Sequence, residues 1–386
     1  MKLHVLQIAP CFVDLDHETG GVSNIVRQIA LNLTRNNHRV TVFCGNTELG
    51  KVKAIPGVHR ISDHLIQHIQ CQRLNPLLGP GIDLSQLSIV PGEGVVAHIH
   101  TCLSAFTESA MAKCLRLGIP FVFTPHGKLA SITSARHRVI KNLYWRYRAS
   151  HLVSQASSIV LSGSTEAVWF DHLGIRNEYN VIPNGYVEPA SGRLSTLKPI
   201  IDLPYVLFLG YLEERKQPGF LIEVFAQSRL RFTHKLVLAG PDAYGHKAQL
   251  EEIAKRCLVA DRVVFFGAAY GEEKASLFQH AACLCLPSKA EGLPVVLCEA
   301  IGSGIPVLYS TGCNFPELVQ HGCGLEISGF DLPEWKEALE RICLDEYLNQ
   351  KMRAAATRIR IKYAWDSICQ EWLQLYRTCI SKDKAG

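Results

Sequence analysis

The sequence predicts an α/β protein of two domains, each a doubly wound parallel sheet, and three observations carry that prediction. Short apolar runs stopped by Gly, Pro or polar residues alternate with stretches of helical spacing along the whole chain, the pattern of repeated βαβ units. Residues 186–203 are rich in Pro, Ser and Gly and interrupt that alternation at mid-chain, as a linker does. At 386 residues the chain has room for two or three domains, and 47% apolar composition supplies cores for them.

Bulk properties exclude several classes. Lys and Arg number 40 against 35 Asp and Glu, a mild charge of +5, and only 19% of residues are charged. Without a Lys/Arg-rich tail or interleaved aromatic and basic motif, nucleic acid is not expected as a partner. The 14 cysteines include no C-x-x-C pair and read as small buried hydrophobes in a reducing compartment. Residues 2–9 are too short an apolar run for a signal peptide, and no stretch reaches roughly 18 uninterrupted apolar residues. The expected location is the cytoplasm, with any membrane contact peripheral at its inner face.

In the first half, residues 3–8 read as the opening strand, and Thr19-Gly20-Gly21-Val22 leads into a helix over 25–33. Glycines at such a turn let backbone amides approach a phosphate where a Cβ would intrude, and they also serve ordinary strand-to-helix turns. Residues 39–44 return as a strand, whereas 45–94 are poorly patterned and predict irregular segments. A strand over 95–100 ends on His98 and His100; two histidines with no third ligand nearby do not make a metal site, and they read as polar strand-end groups bordering a cleft. Residues 120–124 predict another buried strand, which delivers His126 to its carboxyl end within Thr124-Pro125-His126-Gly127, where open α/β sheets place ligand groups.

From Ser109 through Thr165, 57 residues, there is no Asp or Glu, while eight Lys or Arg fall inside. Within it the segment 134–150 predicts a helix with Val139, Leu143 and Tyr147 on one face and Arg138, Lys141, Arg146 and Arg148 around it. Such a helix suits anionic lipid head groups or a lipid-linked diphosphate, and equally a core helix with a solvated basic face. A strand over 159–162, a short helix over 166–172 and the turn Asn184-Gly185 close this half.

The second half repeats the alternation, with strands at 205–209, 235–239, 263–266 and 281–286 and helices between them. Pro287 stops the last of these strands, and a helix is expected from Pro294, since proline at a first turn gives up only an amide that would be unpaired. Glu291 then lies in the loop and Glu299 within the helix, seven residues between them. A strand, a glycine-containing loop and a helix N-terminus form a place for an anion. Carboxylates on either side of it suit a ligand with hydroxyls flanking a phosphate, such as a nucleotide sugar.

The stretch from Ser288 to Val307 resembles the glutamate, seven residues, glutamate signature of the retaining glycosyltransferases of family 4. That resemblance implies the GT-B fold, two facing Rossmann-like domains with a cleft between them. Gly302, Gly304 and Pro306 resemble the family's A-x-G-x-P-V, and residues 311–318 its next loop. Residues 210–216, Gly-Tyr-Leu-Glu-Glu-Arg-Lys, resemble its G-R-L-x-x-x-K-G motif, with two departures: Tyr211 stands where Arg is expected and Gln217 replaces the last Gly.

By this resemblance Glu291 meets donor-sugar hydroxyls, Glu299 the ribose, Lys216 the diphosphate, and His126 the reacting sugar. Gly20 and Gly21 provide an amide platform. Gly210, Arg215, Gly292, Leu293, Pro294 and Val295 complete the expected donor site, with Arg215 or a first-domain residue as the candidates to replace the missing arginine. The implied domains are 1–190 on the acceptor side, a linker at 191–203, a nucleotide-sugar domain at 204–362, and a helix at 363–386 crossing back. No cofactor and no metal are expected, since Lys216 and helix amides would neutralise the diphosphate.

The implied activity is transfer of a sugar, with retention, from a nucleotide diphosphate sugar to a glycan or lipid-linked acceptor, in extracellular polysaccharide or lipopolysaccharide biosynthesis. The alternative, supported by Tyr211, is a catalytically idle nucleotide-sugar binder that partners another transferase.

Overall fold

The computed structural model describes residues 1–11, 21–44, 58–61, 66–70, 92–129, 132, 138–187, 200–242 and 245–383. They fall into two compact units, Met1–Pro183 with Trp365–Gly386, and Asn184–Ala364. Most of the expected linker, 191–199, lies outside the described residues. Asn184 to Val187 group with the second unit because Tyr186 is tied to its far end, its amide donating to the Tyr363 carbonyl at 2.8 Å beside a bridge to Ala364.

The first unit opens with β1 (Leu3–Ala9), buried along its whole length as a central parallel strand covered on both faces must be. The helix α1 (Val22–Arg35) crosses over to β2 (Arg39–Cys44), parallel to β1. Two strands then occupy part of the stretch expected to be irregular: β3 (Val58–Ile61) and β4 (Ile66–Gln70). Strand β4 extends the sheet parallel to β2, and β3 returns antiparallel on it, so this sheet is not wholly parallel. Four and five residues with polar members at most positions make a weak strand signal, which is why pattern alone missed them.

β5 (Gly94–His100) pairs with the other side of β1. It is followed by α2 (Ala105–Arg116) and β6 (Phe121–Thr124), then by α3 (Arg138–Tyr144), which runs through a π turn at Trp145–Ala149 into α4 (Ser150–Ser154). β7 (Ser158–Leu161), α5 (Val168–Leu173) and β8 (Tyr179–Val181) finish the sheet, whose order is β3-β4-β2-β1-β5-β6-β7-β8. The chain order reverses between β1 and β5, and the carboxyl ends at such a switch point are where open α/β sheets hold ligands.

The second unit contains β9 (Tyr205–Leu209), α6 (Pro218–Gln227), β10 (Lys235–Ala239), α7 (Lys247–Arg256) and β11 (Val263–Gly267). It continues through α8 (Gly271–His280), β12 (Cys283–Leu286), α9 (Val295–Gly302), β13 (Val307–Ser310), α10 (Glu317–Gln320) and β14 (Gly324–Ile327), and ends with α11 (Leu332–Leu344) and α12 (Glu346–Ile359). All six strands are parallel in the order β11-β10-β9-β12-β13-β14, with the switch point between β9 and β12.

Proline 294 is the N-cap of α9 rather than its first helical residue: its φ of −65° is shared by both positions, but its ψ of 120° is extended. At the other end of that helix, a Cβ on Gly302 would stand 2.2 Å from the ring of Tyr186, so the glycine is there to let the ring lie against the helix. The last helix, α13 (Trp365–Asp383), belongs to the first unit, where the Tyr376 hydroxyl reaches His98 on β5 at 2.8 Å. No helix among the described residues is long and apolar enough to cross a membrane.

Candidate active site

The candidate residues divide between the two units, and each set stands on its own switch point. In the second unit three loops leave the carboxyl ends of β9, β12 and β13, which lie side by side. They are laced together through the backbone. The Lys289 amide donates to the Arg215 carbonyl at 2.8 Å, and the Glu291 amide to the Gly312 carbonyl at 2.8 Å. Asn314 donates from its side chain to the Glu291 carbonyl at 2.6 Å, and Ser310 donates to the carbonyl of Ser288. A Cβ on Gly312 would lie 2.5 Å from the carbonyl oxygens of Ser288 and Lys289, so only glycine admits this approach.

Onto this frame the charged groups converge. Lys216 Nζ donates to Glu291 Oε1 at 2.7 Å, while Arg215 Nη1 lies 2.8 Å from Glu291 Oε2. Arg215 also bonds Glu213 at 2.6 Å and the Ala290 carbonyl at 2.5 Å. Burial works to raise the pKa of Glu291, but the charges of Lys216 and Arg215 outweigh it and hold the carboxyl below its ordinary value. Burial works the other way on Arg215, and Glu291 and Glu213 overcome it, raising its pKa. Gly210 has a packing reason: a Cβ there would meet the Lys216 stem at 3.0 Å.

Two adjacent cations thus meet one carboxylate in the loop that leads into the N-terminus of α9. Gln217 stands at φ 55°, a left-handed conformation, which is the physical reason for glycine at that place in the motif. Glu299 is paired with Lys274 of α8 at 2.6 Å, a partner 25 residues away that no local pattern indicates. Of the remaining expected donor residues, Gly292 and Val295 are half-buried at the loop and first turn. Pro294 is buried, and the Leu293 side chain packs in the core while its carbonyl accepts from Asn184 at 2.7 Å. Leu293 therefore supports the loop rather than offering its side chain.

In the first unit His126 follows β6 at φ 51°, left-handed for a non-glycine residue, and Gly127 follows at φ 72°. The Gly127 amide donates to Glu166 Oε2 at 3.0 Å, and the Ser162 amide to its Oε1 at 3.3 Å. Burial raises the Glu166 carboxyl to about 7 against these two amides. His98 and His100 do not border an open edge: both are fully buried, which corrects their reading as strand-end groups at a cleft. His100 Nδ1 meets His126 Nε2 at 2.8 Å and its Nε2 meets Gln7 Oε1 at 2.6 Å; His98 bridges Tyr376 at 2.8 Å and Thr124 at 2.9 Å. Burial lowers the pKa of all three rings, that of His126 to about 3, so they are neutral. Gln7 and Tyr376 went unnoticed in the sequence because they come from strand and helix positions 369 residues apart.

Gly20 lies outside the described residues, and Gly21 caps α1 at φ 56° with open space where a Cβ would stand. No group of three His, Cys, Asp or Glu among the described residues is placed to hold a metal. The sequence does contain one Asp-x-Asp triplet, Asp14-Leu15-Asp16, outside the described residues.

Comparison with known proteins follows the same division. Residues 19–187 match the family model described as Glycosyltransferase Family 4, and residues 198–359 that described as Glycosyl transferases group 1. A D-inositol 3-phosphate glycosyltransferase of Salinispora tropica is 24% identical over 412 residues, covering 95% of this chain and 83% of that one. Among solved structures, sucrose-phosphate synthase from Thermosynechococcus elongatus superposes with a TM-score of 0.77 at 19% identity over 98% of this chain and 100% of that one. HepE of Anabaena in complex with UDP-glucose gives 0.70 at 16% identity, over 97% and 99%. The fold is GT-B, and the chain belongs to the family 4-like glycosyltransferases.

Proposed function

We propose that the protein transfers a hexose-type sugar, with retention of configuration, from a nucleotide diphosphate sugar to a glycan or lipid-linked acceptor in the cytoplasm, as a step in extracellular polysaccharide or lipopolysaccharide assembly. The observation that carries this reading is the double clamp of Lys216 and Arg215 on Glu291. A diphosphate laid on those cations takes over their charge and leaves Glu291 to accept from sugar hydroxyls. The same cations stabilise the diphosphate as it departs, the charge that develops in the transition state. Arg215 supplies the second charge that Tyr211 does not.

Glu299 serves the ribose once Lys274 shares it, and His126, neutral, accepts or donates a hydrogen bond at the reacting sugar. Gly20 and Gly21 provide the amide platform, with Gly210, Gly292, Pro294 and Val295 shaping the backbone around the anion. No protein nucleophile is assigned; the departing phosphate takes the proton of the incoming hydroxyl on the same face. UDP-glucose is the first donor to test, since relatives of this fold are seen with it. Incubation with each common nucleotide sugar, read as nucleoside diphosphate release, tests the proposal. Saturable binding of a donor without release in the presence of any acceptor would favour the idle binder that Tyr211 suggests.

The reading extends to the membrane. Trp145, Ala149 and Val153 turn one stripe of the α3 to α4 segment into the core, yet Val139, Ile140, Leu143 and Tyr147 are 71%, 62%, 50% and 79% exposed. The segment is thus part core helix and part exposed apolar face, which the described residues leave uncovered. With Arg138, Lys141 and Arg146 alongside and no acidic residue from 109 to 165, an anionic bilayer surface is the partner this face fits.

A further inference from the structure

We infer that Gln7 is a positioning residue that sets the tautomer of His126, two side chains away, so that His126 presents its Nδ1 as a hydrogen-bond acceptor. Three neutral imidazoles in contact carry no charge of their own, and no hydrogen bond from a carboxylate to them is seen among the described residues; Lys128 acts on His126 through its charge, and each ring nitrogen can be donor or acceptor until a hydrogen-bonding group decides. Gln7 is such a group.

Its Oε1 only accepts, so His100 Nε2, 2.6 Å away, carries the proton. His100 Nδ1 is then a lone pair and accepts from His126 Nε2 at 2.8 Å. With its proton on Nε2, neutral His126 has a bare Nδ1, and this atom is buried with no hydrogen-bond partner among the described residues. The remaining bonds are consistent with that amide orientation: Gln7 Nε2 donates to the Tyr376 hydroxyl at 3.4 Å, which leaves Tyr376 to donate to His98 Nδ1 at 2.8 Å and His98 Nε2 to donate to Thr124 Oγ1 at 2.9 Å. Reversing Gln7 would reverse every bond in the row, so one polarity is propagated from α13 through β1 and β5 to the turn after β6.

The rings also fix one another sterically. His98 and His100 have centroids 3.9 Å apart, His100 and His126 stack at 5.2 Å, and Trp372 covers His98 at 4.4 Å. His126 is held at φ 51°, a left-handed conformation that a non-glycine residue rarely adopts. That a strained, neutral imidazole ends the row with an unmet acceptor marks it as the end that accepts a hydrogen bond from a hydroxyl. The hydroxyl as ligand rests on the glycosyltransferase reading above; the tautomer does not.

The test uses the full-length protein with nitrogen-15 histidine and reads the protonation of each ring nitrogen by NMR, with His126 assigned by difference from His126→Ala. Wild type is expected to show His126 as the Nε2–H tautomer from roughly pH 6 to 8; a proton on Nδ1 overturns the inference. Gln7→Met, of similar volume, and Tyr376→Phe should each convert His126 to a tautomer mixture. A ring that stays wholly Nε2–H in both variants sinks the role given to Gln7, and either variant suffices if the other fails to fold. Nucleoside diphosphate release from UDP-glucose should fall about fivefold in kcat/KM for Gln7→Met, the worth of one neutral hydrogen bond. Absence of release in wild type would count against the proposed function and leave the tautomer measurement to decide the inference alone.

Discussion

Lys216 and Glu291 are 75 residues apart in the chain and 2.7 Å apart in space, each with little more than a tenth of its side chain exposed. Arg215 completes the clamp from the half-exposed side. If these cations stabilise a departing diphosphate, Lys216→Ala should lower kcat for nucleoside diphosphate release by roughly 100- to 1,000-fold, the usual effect of deleting one preorganised charge. Arg215→Ala should cost at least about tenfold. An Arg215→Ala enzyme as fast as wild type would show that Arg215 does not replace the missing arginine.

Gly240, at φ 144°, has no room for a side chain: its Cβ would lie 1.9 Å from the Gly210 carbonyl oxygen. Gly240→Ala should therefore destabilise the second unit by at least about 2 kcal/mol in urea denaturation. Gly245, at φ 72° with nothing within 4 Å, is the control, and Gly245→Ala should cost only about 1 kcal/mol of backbone strain.

Gln217 occupies a left-handed position ahead of α6, and among the described residues its side chain makes an exposed bond to the Glu214 carbonyl. Relief of that conformation by Gln217→Gly should raise stability by about 0.5–1 kcal/mol. A lower midpoint in thermal melting would mean that the side chain contributes more than its backbone strain removes.

Glu166 makes stability depend on pH. A carboxyl whose pKa is raised on folding binds more protons folded than unfolded. Its contribution is complete below the ordinary value of 4.5 and is lost as pH climbs to about 7. The loss is on the order of 3 kcal/mol. Melting temperature measured across that window should fall for wild type relative to Glu166→Gln, which cannot ionise; parallel curves would exclude burial of an uncharged carboxyl.

The basic helix should bind vesicles containing anionic lipid in a salt-dependent way. Replacing Arg138, Lys141 and Arg146 by Ala should weaken sedimentation roughly 100-fold, at about 1 kcal/mol per charge. Leu143→Ser with Tyr147→Ser should weaken it without altering the salt dependence. Arg148 is a lesser contributor, being bonded to Glu108 at 2.9 Å. Sedimentation indifferent to the three charges would end the membrane assignment.

Alternation of apolar runs with helical spacing was enough to specify two α/β sheets, because a strand covered on both faces must be continuously apolar and the helix that covers it must show its own period. Local motifs around Gly210 to Lys216 and Glu291 to Glu299 were legible for a similar reason: each loop is written in consecutive residues, and its glycines and charges keep fixed offsets. What depends on residues meeting across strands was not legible. The strands at 58–70 carry too few apolar positions to be seen without the sheet edge that accepts them. The pairing of Glu299 with Lys274, the turn of Val139 and Tyr147 to the outside, and the row from Tyr376 through Gln7 to His126 were decided by tertiary structure alone. A side chain's burial and hydrogen-bond partners are properties of its neighbours in space, and neighbours separated by hundreds of residues leave no mark on one another's local sequence.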